Sequence, residues 1–270
     1  AVACFLSSFG AFAAYDRSRL EQAGIPCFCD PQDAADAVAA LSGYAKASAC
    51  QSQHVQPMLT AAQCCAVEEF LRDFPKNEQL VLPERLSKQL LALAGFPVSV
   101  PVVAHTAMQA ADAAEAFGYP VALKVESYVI QHKTDVGGVR LGLQDRAAVK
   151  EAFLQMDSAM KRLDPSACVT VQPMAQSGFE VMLGAARLHD TPLMAAGMGG
   201  IYAEAFQDMA FRLAPLQEGQ AERMLQSLRC APVLNGFRTP PLDRAGVCQL
   251  LQRLSELMQA FAQIQSMPRV

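Results

Sequence analysis

A polar, glycine-containing loop between two short apolar segments is the feature that most limits how this chain can fold. Tyr119–Lys124 is an apolar run short enough for a buried strand, and Val139–Leu143 alternates as a second strand should. Between them, a His-Lys-Thr-Asp cluster at 132–135 is followed by Gly137 and Gly138. Because such residues make a poor core, the order predicts a strand, a surface loop and a strand.

The composition of this loop fits an approach to phosphate. Paired glycines allow backbone N–H groups to come close to an anion, Lys124 and Lys133 supply positive charge, and the imidazole of His132 can act as a base or a nucleophile. A polar β-turn, in which His132 only bonds its neighbours, explains the same spacing equally well. The residues by themselves leave both interpretations open.

Composition narrows the class of protein. A chain of 270 residues with 52% hydrophobic and 18% charged residues can hold one large domain or two small ones and is not disordered. The net charge of −4 and the lack of a basic run give no support to nucleic-acid or membrane-surface binding. The nine cysteines show no metal-like spacing, which indicates reduced thiols and a cytoplasmic location.

The apolar stretch 1–14 ends in small residues, as a secretory signal does, but it has no basic start and no initiator Met. We therefore expect it to be part of the fold rather than a signal. No other run approaches the roughly 20 apolar residues that a membrane span needs.

Apolar periodicity and turn residues predict an alternation of helices and strands along most of the chain. Residues 1–47 predict strand, helix, strand and helix, with Asp30 and Pro31 at the start of the second helix. Further helices are expected at 84–94, 107–117, 146–163, 218–227 and 243–263, and further strands at 168–174 and 180–184.

Two blocks of sequence resemble one known family. Lys124–Leu143 is similar to a Lys-Ile-x-Ser-Pro…His-Lys-Ser-Asp-x-Gly-Gly-Val run, and Gly197–Pro215 is similar to a Gly-x-Gly-Gly-Ile…Glu…Asp…Phe-Arg-x-Ala-Pro run. Both runs are typical of the nucleotide-binding module of ADP-forming acyl-CoA synthetases of the acetate–CoA ligase type, which has the ATP-grasp fold. A weaker match, at Gly236–Pro241, has Thr239 where the family has glycine.

The resemblance implies three segments. Residues 1–47 resemble the C-terminal remnant of a flavodoxin-like, parallel α/β CoA-ligase domain, residues 48–82 are a linker with one helix, and residues 83–270 are a two-lobed α+β ATP-grasp domain. The last segment has no Glu-x-Asp-x-Asn-Pro motif, so we expect it to lack its last strand. Because a parallel sheet that begins at its final strands has an exposed edge, we expect the chain to be a fragment or one part of a split enzyme.

The resemblance also implies roles for individual residues. His132 matches the family's phosphoryl-relay histidine and is the expected catalytic residue. Glu204 and Asp208 would bind Mg²⁺ or orient the loop, and Arg212 would reach a phosphate or brace the glycines. Gln172–Met174 is the candidate adenine edge. The expected ATP-binding residues are Lys88, Lys124, Lys133, Gly137, Gly138, Gln172, Pro173, Met174, Gly197, Gly199, Gly200 and Arg212.

The function implied is the ATP-binding part of an acid–CoA ligase that interconverts acyl-CoA, ADP and phosphate with carboxylic acid, CoA and ATP through a phosphohistidine. ATP or ADP and Mg²⁺ are the expected cofactors, with CoA as substrate. The CoA-binding and ligase domains, with the family's second relay histidine, would lie in the same full-length chain or a partner subunit, and an oligomer is expected. Two alternatives are a ligand-sensing module of a protein lysine acetyltransferase and a non-catalytic subunit.

Overall fold

The structure is a computed structural model and describes residues 4–5, 11–28, 30–49, 57–75, 80–127, 130, 133, 136–176, 178–200, 206–236 and 242–267. The chain divides into two compact units, residues 1–55 and residues 56–270. Among the described residues, no helix combines the length and the apolar character needed to cross a bilayer.

The first unit alternates strand and helix, in the order β1 (Cys4–Phe5), α1 (Ala11–Gln22), β2 (Cys27–Phe28) and α2 (Pro31–Ala49). The two strands pair in parallel, with α1 as the crossover that a parallel pair requires. The Asp30 carboxylate accepts the N–H of Gln32 at 2.7 Å, as expected where α2 begins. The predicted order of elements is confirmed, and the resemblance of this unit to a flavodoxin-like domain stays a prediction.

Helix α3 (Ala61–Arg72) is the first described helix of the second unit. The Thr60 hydroxyl accepts the N–H of Gln63 while the Gln63 side chain accepts the N–H of Thr60, which is a capping box. Val67 and Leu71 of α3 are buried in the same hydrophobic core as the second sheet described below. Helix α3 is therefore a packed element of this unit.

The segment before α3 is also fixed to the core of the second unit. The Glu256 carboxylate accepts the backbone N–H groups of Met58 and Leu59 at 2.7 and 2.9 Å. The helix expected within the segment 48–82 is α3, and the residues from 57 to 75 belong to the second unit. Polar composition suggested a linker here, but the apolar side of α3 finds a partner that is distant in sequence.

The first sheet has four strands in the order β3-β6-β4-β5, and neighbouring strands are antiparallel. Helices α5 and α6 cover one of its faces, where the side chains of Leu123 and Val171 are fully buried. The elements are β3 (Val102–Ala104), α5 (Ala107–Phe117), β4 (Val121–Glu126), β5 (Val139–Leu143), α6 (Arg146–Met160) and β6 (Cys168–Pro173).

The opposite face of the first sheet is polar. Side chains alternate along a strand, so Lys124 lies on the other face from Leu123, and β4 pairs Lys124 with Thr170 and Ala122 with Gln172. Helix α4 (Glu84–Leu93) hydrogen-bonds to this face through charged side chains. Its apolar residues Leu90 and Leu91 belong instead to the core of the second sheet.

The second sheet is also antiparallel and has the order β10-β7-β8-β9. One face packs Leu183, Met194 and Ala196 against buried leucines and methionines of the C-terminal helices. The elements are β7 (Val181–Leu188), β8 (Thr191–Met198), β9 (Met209–Leu213), α7 (Gln220–Gln226), α8 (Ala231–Leu234), α9 (Arg244–Ala260) and β10 (Ser266–Met267).

Arg187 joins this sheet to the end of α9. Its guanidinium donates to the carbonyls of Ile264 at 3.0 Å and of Asp190 and Phe261 at 3.1 Å, and also to the carbonyl of Met258. A cation at a helix C-terminus interacts favourably with the helix dipole and satisfies carbonyls that have no partner within the helix. Arg187 therefore fixes the position of α9 relative to the sheet.

The domain is expected from its sequence to lack its last strand, and the structure differs in part. Strand β10 follows α9 and pairs with β7 through Ser266 and Met267. A strand pairing therefore exists at this place, although its residues do not carry the Glu-x-Asp-x-Asn-Pro motif.

Candidate functional site

The glycine pair closes the loop between β4 and β5. The Gly138 N–H donates to the Lys133 carbonyl at 2.7 Å, and the Gly138 carbonyl accepts the Val125 N–H at 2.8 Å. A Cβ at Gly138 would lie 2.6 Å from Val125 Cγ1 and 2.9 Å from the Lys133 carbonyl oxygen, so only glycine fits. Gly137 adopts a φ of +69°, which also favours glycine. The Gly138 N–H therefore closes the loop and is not free to meet an anion.

The other end of the loop is anchored through Ser127. Its hydroxyl donates to Asp164 at 2.6 Å and accepts the N–H of Ile130 at 3.0 Å. Asp164 is buried and also accepts the N–H and hydroxyl of Ser166. The hydrogen bonds from Ser127 and Ser166 hold the pKa of the Asp164 carboxyl below its usual value.

The predicted relay residue, His132, lies outside the described residues, so its position stays a prediction. The described residues on either side of it, Ile130 and Lys133, are held by the hydrogen bonds above. Burial and the nearby Glu126 carboxylate raise the pKa of the Cys168 thiol in β6, and the charges of Arg85 and Lys133 oppose this shift only in part.

Two of the predicted lysines converge on one carboxylate that the sequence analysis does not include. Lys124 Nζ donates to Glu84 Oε1 at 2.8 Å, and Lys88 Nζ lies 3.0 Å from the same oxygen. Lys88 also donates to the Gln172 side-chain oxygen at 2.9 Å. Burial alone would raise the pKa of the Glu84 carboxyl, but the two lysines lower it overall. The Glu84 carboxylate thus holds the ammonium groups of Lys88 and Lys124 next to each other.

A second ion pair joins α4 to the same face. Arg85 Nε lies 3.0 Å from Glu126 Oε1, and Glu126 is buried. Since charges on a partly buried surface are screened less than fully exposed ones, this pair helps to hold α4 over the sheet. The face therefore carries alternating charges of both signs around Lys124.

The segment Gln172–Met174, predicted to contact adenine, consists of the end of strand β6 and the residue after it. Gln172 and Pro173 belong to β6 and pair with Ala122 and Val121 of β4, while the Met174 N–H donates to the Pro120 carbonyl at 3.2 Å. The N–H of Met174 is therefore already bonded, and recognition of a base by this segment would use other groups. Its role at the adenine stays a prediction.

The second glycine block packs tightly against its neighbours. The Gly199 N–H donates to the Glu180 carbonyl at 2.7 Å, and a Cβ at Gly199 would lie 2.9 Å from Glu180 Cβ. A Cβ at Gly197 would lie 2.5 Å from the Asp208 carbonyl oxygen, and Gly200 has a φ of +60°. Glycine at these positions therefore allows the backbone to lie close to Glu180 and Asp208.

Of the two acids predicted to bind the metal, the structure describes only Asp208. Glu204 lies outside the described residues. Asp208 is buried, and its two oxygens accept the backbone N–H groups of Arg229 and Cys230 at 2.9 and 2.8 Å. Burial raises the pKa of this carboxyl, but the two N–H donors lower it overall. Asp208 therefore braces the backbone at 229–230, and its predicted role at Mg²⁺ or at the glycine loop stays a prediction.

Arg212 lies on the exposed edge strand β9, where its guanidinium donates to the Phe211 carbonyl at 2.7 Å. Within the described part of the chain, no hydrogen bond joins Gly197–Gly200, Asp208 or Arg212 to the cluster of Glu84, Lys88, Lys124 and Gln172. No group of three or more His, Cys, Asp and Glu side chains among the described residues could hold a metal ion. The structure thus brings Lys88, Lys124 and Gln172 together around Glu84.

Glu84 is the residue of this site that the sequence analysis missed. Glu84 lies four residues before Lys88 on one helix, and this spacing predicts an ion pair between them on the same helix face. The pairing with Lys124 had no such signal, because it joins α4 to β4 across a long stretch of chain.

The chain resembles known proteins in sequence and in structure. The family model for the ATP-grasp domain matches residues 73–268. Acetate–CoA ligase (ADP-forming) I of Archaeoglobus fulgidus is 33% identical over 264 residues, which is 95% of this chain but 38% of that protein. The beta subunit of acetate–CoA ligase (ADP-forming) I of Pyrococcus furiosus is 32% identical over 67% of this chain and 80% of that subunit.

Among solved structures, an acetyl-coenzyme A synthetase of Candidatus Korarchaeum cryptofilum, in complex with coenzyme A and Ca-AMPCP, matches with a TM-score of 0.68 and 30% identity. The match covers 74% of this chain and 89% of that chain. These findings confirm the resemblance that the two sequence blocks indicated and the two-lobed fold it implied. The chain therefore belongs to the ATP-grasp domain family, in the group formed by the ADP-forming acyl-CoA synthetases.

Proposed function

We propose that this chain is the nucleotide-binding part of an acid–CoA ligase that interconverts acyl-CoA, ADP and phosphate with carboxylic acid, CoA and ATP. The observation that carries the proposal is the convergence of Lys88 and Lys124 on the polar face of the first sheet. Phosphoryl transfer depends mainly on positioning and on neutralising the phosphate charge, and paired ammonium groups serve both needs.

The proposed relay places His132 on the loop that follows Lys124. Phosphate attacks the acyl-CoA carbonyl, the C–S bond breaks and CoA leaves as a thiol after taking a proton. The imidazole nitrogen then attacks the phosphorus of the acyl phosphate and releases the carboxylate. A terminal oxygen of ADP attacks the phosphohistidine, the N–P bond breaks and ATP forms. Neutral imidazole suits this exchange because it is nucleophilic near neutral pH.

Lys88, Lys124 and Lys133 are the residues proposed to contact nucleotide phosphate. Mg²⁺ would neutralise further phosphate charge when bound. Glu204 is the proposed metal ligand, since both oxygens of Asp208 already accept backbone N–H groups and fit a bracing role better. Arg212 is exposed and is proposed to reach a phosphate oxygen.

The proposal also includes partners. The chain spans 38% of the length of the Archaeoglobus relative, so the acyl and CoA sites are proposed to lie largely in other domains of the full-length chain or in a partner subunit. An oligomer and a cytoplasmic location are proposed with them, the latter because nine cysteines without metal-like spacing suit a reducing compartment.

A labelling experiment tests the relay. The protein is incubated with Mg²⁺ and ATP labelled in the γ-phosphate, and compared with His132→Ala and with the matched control His105→Ala, which changes an exposed histidine. We expect acid-labile label on the wild type and the control, and none on His132→Ala. Equal labelling of His132→Ala would exclude the relay, and nucleotide binding without any label would favour the sensing module.

A further inference from the structure

One oxygen of Glu84 is shared by two ammonium groups at the proposed nucleotide face. Glu84 and Lys88 lie four residues apart on α4, and Lys124 reaches the same oxygen from β4. The three side chains are partly buried, with 24 to 30% of each exposed, so their charges are only partly screened by water. Glu84 is therefore the nearest counter-ion for both lysines.

The hydrogen bonds leave the lysines able to bind something else. An ammonium group has three donors. Among the described residues, Lys124 uses one donor, for Glu84, and Lys88 uses two, for Glu84 and Gln172. The two lysines and Glu84 together carry a net positive charge, and the unused donors are available to an anion.

We propose that Glu84 is an internal competitor of the nucleotide's phosphates, which holds Lys88 and Lys124 in place when no nucleotide is bound and weakens nucleotide binding when one is. This inference rests on the proposed nucleotide site and assigns it a residue that limits affinity. A phosphate that contacts Lys124 lies next to a carboxylate of like charge, and the resulting repulsion favours release. A reversible ligase, which must release ATP or ADP in each turnover, benefits from such a limit.

The variant Glu84→Gln separates charge from shape. Glutamine has the same size and keeps an oxygen that can accept a hydrogen bond from a lysine, so the geometry of the site is retained. Loss of a partly exposed ion pair has only a small effect on folding. Removal of the Glu84 charge raises the net positive charge of the site by one, so the site attracts a phosphate more strongly.

Binding of Mg-ATP, Mg-ADP and adenosine is measured for the wild type and Glu84→Gln, with adenosine followed by displacement of a fluorescent nucleotide. We expect Glu84→Gln to bind Mg-ATP about tenfold more tightly, Mg-ADP more tightly by a smaller factor, and adenosine with unchanged affinity. The matched control Glu68→Gln, which removes the charge of an exposed glutamate paired with Arg72, should leave all three affinities unchanged.

Equal or weaker binding of Mg-ATP by Glu84→Gln would overturn this inference while leaving the proposed function intact. Parallel changes for ATP and adenosine would show a purely structural role for Glu84 and would overturn it as well. Failure of the wild type to bind Mg-ATP would instead reject the proposed function.

Discussion

At the scale of single residues, close backbone contacts explain why glycine occurs where it does. Gly138 lies so near to Val125 and to the Lys133 carbonyl that any side chain would force one of them to move. The same position closes the loop that carries His132 in the sequence. Glycine here therefore sets the shape of the loop, and the cations next to it supply the charge for an anion.

The variant Gly138→Ala tests this interpretation. The added methyl group must displace Val125 or the Lys133 carbonyl, since it would lie 2.6 Å from Val125 Cγ1, and we expect unfolding free energy to fall by about 1–3 kcal/mol. Phosphoryl labelling of the protein should fall as well, because the loop shifts. Urea unfolding and the γ-phosphate labelling assay measure the two effects.

The control for this variant is Gly178→Ala, where no atom lies within 4 Å of the added Cβ and the backbone conformation is open to other residues. We expect this change to leave stability within about 1 kcal/mol of the wild type or to raise it slightly. If both variants behave alike, the close contact at Gly138 does not determine the loop.

At the scale of elements, the predictions from sequence were accurate where the signal is local. The helix expected at 107–117 matches α5, and the strand expected at 139–143 matches β5, because caps, glycines and apolar periodicity mark them. The helix expected at 146–163 ends earlier, at Met160.

Contacts between distant elements could not be predicted in the same way. The pairs Glu84 with Lys124 and Lys88 with Gln172 depend on how α4 lies over the first sheet, and no local pattern encodes that placement. The packing of α3 into the core was missed for the same reason. Lys124 was a candidate from its place beside the glycine loop and Lys88 from the family resemblance, whereas neither source pointed to their shared carboxylate, Glu84.

The contact of Arg187 with the end of α9 predicts a large effect for one substitution. Arg187→Ala removes donors from several carbonyls at a helix C-terminus, and we expect unfolding free energy to fall by about 2–3 kcal/mol. The urea midpoint should decrease while the denaturant slope stays constant.

Arg162→Ala provides the comparison, because Arg162 is exposed in the turn after α6. Its urea midpoint should stay close to that of the wild type. A small effect of Arg187→Ala, similar to that of Arg162→Ala, would mean that α9 is held by its apolar face alone.

At the scale of the second unit, two antiparallel sheets with their own helices provide the two larger of the three hydrophobic clusters among the described residues. Helix α4 belongs to the core of the second sheet through Leu90 and Leu91 but bonds to the first sheet through Glu84, Arg85 and Lys88. The charged side of α4 and the polar face of β4 and β6 thus form one surface. A nucleotide bound there would contact elements that belong to two different cores.

The most direct test of this account is a crystal structure of the protein with Mg²⁺ and a non-hydrolysable ATP analogue. We predict that phosphate oxygens lie within hydrogen-bonding distance, about 3 Å, of the Nζ atoms of Lys124 and Lys88, on the polar face of the first sheet. A nucleotide bound elsewhere, with both lysines still paired only to Glu84 and Gln172, would contradict the account.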